Sequence, residues 1–207
     1  VLGFSGRRLK LEAVERTYTD TETLFLPYVT ARFESREDNF RFLKATATYL
    51  WAQTRFGTWK WGVIETLAQF RDQARALHLF HALETLRLDA RIARELPGIH
   101  RDMAHLNRLA GHTLCPPAWE VFRERLARGG NRVEDSLTLV AELLSNCPPI
   151  PDRLCYQGEL FPERVETVLR ARLEDEKAGL KSLLVRYKRE LEAEQPATER
   201  KEPGTRE

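Results

Sequence analysis

His78, His81 and Glu84 are the residues of this chain whose types and spacing come nearest to a metal site. His81 and Glu84 stand three apart, so on a helix their side chains share a face. A helical His-x-x-Glu pair holds metal in carboxylate-bridged bundles only when further ligands arrive from other helices. The chain offers no second His-x-x-Glu or His-x-x-x-His segment. Hydrogen bonding in a crowded helical core therefore accounts for both histidines without an ion, since metal sites are set by ligand number and geometry. A metalloenzyme built on His78, His81 and Glu84 stands as the rival reading. His100, His105 and His112, spaced by five and seven, do not align at 3.6 residues per turn.

Other chemistries leave less trace. There is no Gly-x-x-x-x-Gly-Lys-Ser/Thr phosphate loop and no Gly-x-Ser-x-Gly elbow. The run Glu174-Asp175-Glu176 lies among other charges and reads as a solvated helix face. Trp51, Phe56, Trp59 and Trp61 could stack on bases beside Arg55 and Lys60. Without a basic groove, burial at a helix end explains these aromatics better. Cys115, Cys147 and Cys155 form an odd set with no C-x-x-C pair, which argues for free thiols.

Composition narrows the class. The 33 basic and 31 acidic residues nearly cancel and alternate along the chain, as in Arg36-Glu37-Asp38. Nucleic-acid binding needs cations gathered on one face, so it is not expected. No stretch approaches the ~20 apolar residues of a spanning helix, and no signal peptide is evident. A cytoplasmic location without membrane insertion is expected. The chain opens on Val1 and reads as a piece of a longer protein.

The elements that must position these residues follow from periodicity. Arg8–Glu12 alternates polar and apolar as a half-buried strand should, and Thr23–Leu26 is a second short run ended by Pro27. With turn chemistry at Thr17–Thr21, they predict a β-hairpin or small sheet. Ser35 is a helix cap, after which Phe40, Leu43, Ala47, Leu50 and Trp51 mark an apolar face that ends at Phe56-Gly57. A long helical region is expected from about 61 to 96, enclosed because its apolar residues cover more than one face, with Pro97-Gly98 as its end. Helices follow over 99–109, from Pro116-Pro117 to Arg128, and over 134–144. Pro162 opens a last helix with a narrow seam of Leu180, Leu183, Leu184, Tyr187 and Leu191, which is the candidate partner-binding surface. The expected class is mainly α with a small N-terminal β part. The expected organisation is an α+β domain over 1–160, a charged amphipathic helix over 161–194 and a disordered linker over 195–207.

Separate blocks of this sequence resemble one family. They are Thr19–Pro27, Arg36–Arg41, Ala52–Trp59, Leu83–Asp89 followed by Leu96-Pro97-Gly98, and Tyr156-Gln157-Gly158 before Pro162–Val165. Their order and spacing are similar to the region upstream of the von Willebrand factor A (VWA) domain in CbbO and NorD proteins. The resemblance covers about residues 5 to 190. It implies an adaptor of a MoxR-family AAA+ ATPase hexamer: a CbbQ-like partner for a CbbO-type Rubisco activase component, or nitric oxide reductase maturation for a NorD type. The target, such as Rubisco, would be met through a VWA domain beyond this chain.

Some relatives of this region carry His-Glu-x-x-His before Phe-Gly-Thr and a later Glu in a Leu-Glu-x-x-Arg-x-Asp segment, which resembles a gluzincin-type zinc peptidase. Counted back from Phe56-Gly57-Thr58, the motif positions here are Tyr49 to Gln53. Tyr49 and Gln53 stand for the two histidines and Leu50 for the general base, while Glu84 alone matches the third ligand. The resemblance thus implies a degenerate zincin-like core, no catalysis and no cofactor in this chain.

Overall fold

The computed structural model describes residues 8–113 and 115–194 and is 64% helical, with a three-stranded sheet near its N-terminus. The mainly α class with a small β part is therefore present. No helix among the described residues is long and apolar enough to cross a membrane.

Strands β1 (Lys10–Val14), β2 (Tyr18–Thr19) and β3 (Thr23–Pro27) are ordered β1-β3-β2. The two runs expected to form a hairpin pair in parallel instead, with Leu11 opposite Leu24. The reason lies in the intervening residues. Tyr18–Thr19 forms a strand antiparallel to β3, not turn chemistry. The turn itself is Asp20–Glu22, where Asp20 Oδ1 accepts the amides of Glu22 and Thr23 at 2.9 and 2.7 Å. This tight hairpin occupies one edge of β3 and leaves β1 the other. Burial along β1 is also less than its alternation predicts: Leu9 is buried against Leu24 and Leu50, but Leu11 is exposed.

Helix α1 (Arg36–Arg55) begins as expected, with Ser35 Oγ accepting the Asp38 amide at 2.9 Å. At its other end Gly57 takes φ +69°, and the Thr58 amide reaches back to the Gln53 carbonyl at 2.9 Å. That is a Schellman closure, which needs a residue free to enter the left-handed region. The inward face differs from the one read from the apolar residues. Leu50 is buried as expected, but Phe40 is exposed, and Phe42, Ala45, Thr46, Tyr49, Ala52 and Gln53 are buried as well. Tyr49 and Gln53 face inward because buried polar partners await them.

The stretch over 61–96 is two helices, α2 (Trp61–Gln69) and α3 (Gln73–Glu95). The break is made by Asp72, whose carboxylate caps α3 by accepting the Arg75 amide at 3.0 Å. Pro97 is not a stop but the first residue of α4 (Pro97–Leu109), where its missing amide is no loss. A 3-10 turn at Pro117–Trp119 leads into α5 (Glu120–Ala127), followed by α6 (Val133–Leu143) and α7 (Pro162–Glu194).

As expected, α3 is enclosed. On one side Leu79, Phe80, Leu83 and Leu86 join Val63, Trp119, Leu126, Val133 and Val140 in a core shared with α2, α5 and α6. On the other, Leu88 and Ile92 meet Phe42, Tyr49, Met103, Leu106 and Tyr156. The chain divides into compact units over residues 1–168 and 169–207, so the first turns of α7 belong with the helical core. Val165 is fully buried there, and Arg164 donates to the Tyr18 hydroxyl. The second unit includes the remainder of α7, where Leu180, Leu183, Leu184, Tyr187 and Leu191 are all exposed. The expected linker over 195–207 lies outside the described residues.

Candidate functional site

Glu84 and Arg87 lie one turn apart on α3 and are each 1% exposed. Arg87 grips the carboxylate through two bonds, Nε to Oε1 at 2.6 Å and Nη2 to Oε2 at 2.7 Å. Ser136 of α6 donates to Oε1 at 2.7 Å, and Thr58 donates to Oε2 at 2.6 Å. Four donors fill the lone-pair positions of a carboxylate. Nη1 and Nη2 each also donate to the Phe56 carbonyl, 3.3 Å away at the C-terminal end of α1. A cation is favoured at that end of a helix. Burial alone would lower the Arg87 pKa, but the Glu84 charge and hydrogen bonds outweigh it and hold it above the ordinary guanidinium value.

The Phe56-Gly57-Thr58 block has a physical purpose in this arrangement. Gly57 reverses the chain, Phe56 offers a carbonyl and Thr58 a hydroxyl, all to the Glu84–Arg87 pair. Two sequence blocks of the family resemblance, Ala52–Trp59 and Leu83–Asp89, thus meet in one buried polar knot. Glu84 and Arg87 stand three apart in the sequence, the spacing of a one-turn helical pair. Ser136 has no such mark, because an isolated serine distant in sequence gives no periodic or spacing signal.

A second polar group lies alongside. The Tyr49 phenol meets Thr85 Oγ1 at 3.2 Å, and Gln157 Nε2 donates to the same oxygen. Gln157 Oε1 accepts the Leu154 amide at 2.8 Å, which ties the chain before α7 to α3. Burial, with the Glu84 charge adding to it, pushes the Tyr49 pKa well above that of a free phenol, so the hydroxyl stays neutral. Gln53 Oε1 accepts from the Trp59 indole at 3.3 Å, and its Nε2 is buried without a partner. Leu50 points elsewhere, into the contact with Leu9 and Leu24 of the sheet region. Tyr49, Gln53 and Glu84 are thus all buried polar side chains, but each has its own partners, and Leu50 packs with the apolar sheet region.

No family model, curated protein or solved structure matches this chain.

The rival ligand set is placed differently from a metal centre. The Glu84 carboxylate is turned to Arg87, Thr58 and Ser136. His81 Nε2 is buried without a partner beside a cavity of about 10 Å³ lined by His78, Thr85, Asp152, Arg153 and Gln157. Among the described residues, no three His, Cys, Asp or Glu side chains are grouped to hold a metal ion. His100 pairs with Asp89 at 3.2 Å and His105 with Asp38 at 2.9 Å, both near the surface. Trp59 is buried and packs on Phe80, so it is not open to stack on a base, and Lys60 pairs with Glu134 at the surface. All three cysteines are free and half-buried.

His81 supplies a pH prediction. Burial, reinforced by Arg153 and His78, lowers its pKa from 6.5 to about 3. The unfolded chain therefore binds a proton that the folded chain refuses between those values. The stabilisation is complete above pH 6.5 and is lost as pH falls toward 3. By pH 5 the loss from this residue is about 2 kcal/mol. Urea titrations at pH 7.5 and 5 should differ by about that much less in His81→Gln than in the native chain. An unchanged pH difference would show that His81 titrates normally.

Proposed function

We propose that this chain is a non-catalytic adaptor or scaffold domain of the CbbO/NorD type, which works with a MoxR-family AAA+ ATPase hexamer to remodel a target enzyme. The CbbO-like role, with a CbbQ-like ATPase and Rubisco as the target, is preferred to the NorD-like role in nitric oxide reductase maturation. The adaptor role is supported by the ordered sequence blocks. The absence of catalysis is supported by one observation above all: the carboxylate matching the third zinc ligand is saturated by Arg87, Thr58 and Ser136. A zinc ion at ~2 Å would have to displace those donors and leave Arg87 unpaired. Tyr49 and Gln53 supply neither imidazole, and Leu50 has no group that could activate water.

Under this reading the exposed seam Leu180, Leu183, Leu184, Tyr187 and Leu191 meets a partner. The test is co-purification with a MoxR-type hexamer, using the full chain and a version cut after Val168, which keeps the buried Val165. Retention of the full chain is expected. Its failure to bind any such hexamer would sink the adaptor reading. Loss of binding only in the shortened version would assign docking to α7. Elemental analysis of the same preparation is expected to find no stoichiometric zinc, and a full equivalent would favour the metal-binding reading through His81 and Glu84.

A further inference from the structure

Beyond Val168, α7 carries six side chains at alternating steps of four and three, all of them apolar except Lys177. Leu173, Leu180 and Tyr187 occupy one set of heptad positions, and Lys177, Leu184 and Leu191 the other. Leu180, Leu184 and Tyr187 are 58%, 58% and 59% exposed. A strict 3.5-residue repeat is the mark of a seam that meets another helix along its length, whereas a helix lying on a globular core needs a wider face. We propose that a second copy of this chain covers this seam, forming a parallel two-stranded coiled coil. The proposal rests on the reading of the seam as a partner-binding surface, but not on the identity of the ATPase or its target.

The flanking charges select both the partner and its direction. In a parallel pair, Glu176 lies opposite Lys181 of the second copy, and the symmetry makes this contact twice. Leu183 then lies opposite the Lys188 stem, whose methylenes can cover it. An antiparallel pair fares worse in either close register. With Leu184 against Leu180, Lys181 meets Lys181 and Glu176 meets Glu190; with Leu184 against Tyr187, Lys181 meets Lys188. Lys177 falls in the core positions, where a single polar residue lowers stability but favours two strands in register over larger bundles.

Sedimentation equilibrium of the full chain tests this. From about 1 to about 100 µM the mass should rise from 24.0 kDa toward twice that value. Leu184→Glu should weaken association by at least about 100-fold, because each copy then places a charge in an apolar seam. That side chain is exposed in the single chain, so helical content and the melting of unit 1–168 should be unchanged. Glu176→Lys and Lys181→Glu should each weaken the dimer by about 3- to 10-fold, with the double variant restored and the two single variants preferring each other. A mass fixed at 24.0 kDa throughout would overturn the proposal and leave the seam to a different chain. So would a dimer indifferent to Leu184→Glu. A dimer that the charge exchange fails to restore would overturn the parallel arrangement. None of these outcomes depends on ATPase co-purification, so the two readings fail separately.

Discussion

Glu84→Ala is expected to destabilise the chain by about 3–5 kcal/mol, because it strands the Arg87 charge in the interior. Arg87 is 1% exposed and spends its two best hydrogen bonds on this carboxylate. Thr58 and Ser136 lose their acceptor in the same step. Glu84→Gln retains the shape but not the charge, so it should fall near the same range. The double variant Glu84→Gln/Arg87→Met should recover a large part of the loss, since removing a buried pair together is far less harmful than breaking it. Urea midpoints of the native chain, Glu84→Gln, Arg87→Met and the double variant give the coupling directly, and additive single effects would contradict a paired network. Zinc content should not change across the series. A carboxylate that held zinc would instead lose metal and stability together.

Gly158→Ala is the other large expected effect, about 2–4 kcal/mol. Gly158 has φ +71°, and a Cβ there would lie 2.7 Å from the Thr17 carbonyl oxygen. That oxygen already accepts the Glu159 amide at 2.7 Å, and Arg16 pairs with Glu159 beside it. The segment is a strap between the sheet and the chain entering α7, held at backbone distance. Gly111 provides the control: its φ is +68°, but a Cβ there meets nothing within 4 Å. Gly111→Ala should therefore show only the conformational cost, about 1 kcal/mol. Equal melting shifts in the two variants would mean that the close approach at Thr17 carries no energy.

These positions also show what a sequence can and cannot reveal. Ser35, Gly57 and Pro162 act through local backbone chemistry, and each does what its type predicts. The enclosure of α3 was legible because Leu83, Leu86 and Leu88 cannot share one face. The three-residue spacing of Glu84 and Arg87 permits a one-turn pair, but the pairing itself appears only in the folded chain. The Asp72 break was missed because an acidic residue within a long amphipathic run looks like a solvated position until its capping bond is seen. Hydrophobicity alone puts Phe40 on the inward face of α1, whereas Tyr49 and Gln53 turn inward to hydrogen-bond partners that exist only in the folded chain. The parallel pairing of β1 with β3 could not be read from alternation, which is the same for both strand directions. Ser136 and Gln157 depend on tertiary neighbours alone.

The position of α3 between two apolar clusters has a kinetic meaning. Its amides are shielded on one side by α2, α5 and α6 and on the other by α1 and α4. Neither half can open without exposing a face of α3, so its central hydrogens should exchange with solvent only when unit 1–168 unfolds as a whole. At concentrations where the chain is single, the amides of α7 beyond Val168, flanked by exposed side chains, should exchange far sooner by local fraying. Deuterium uptake along α3 is therefore a clock for the whole helical core, and its rate sets how often any partner or protease meets that core open.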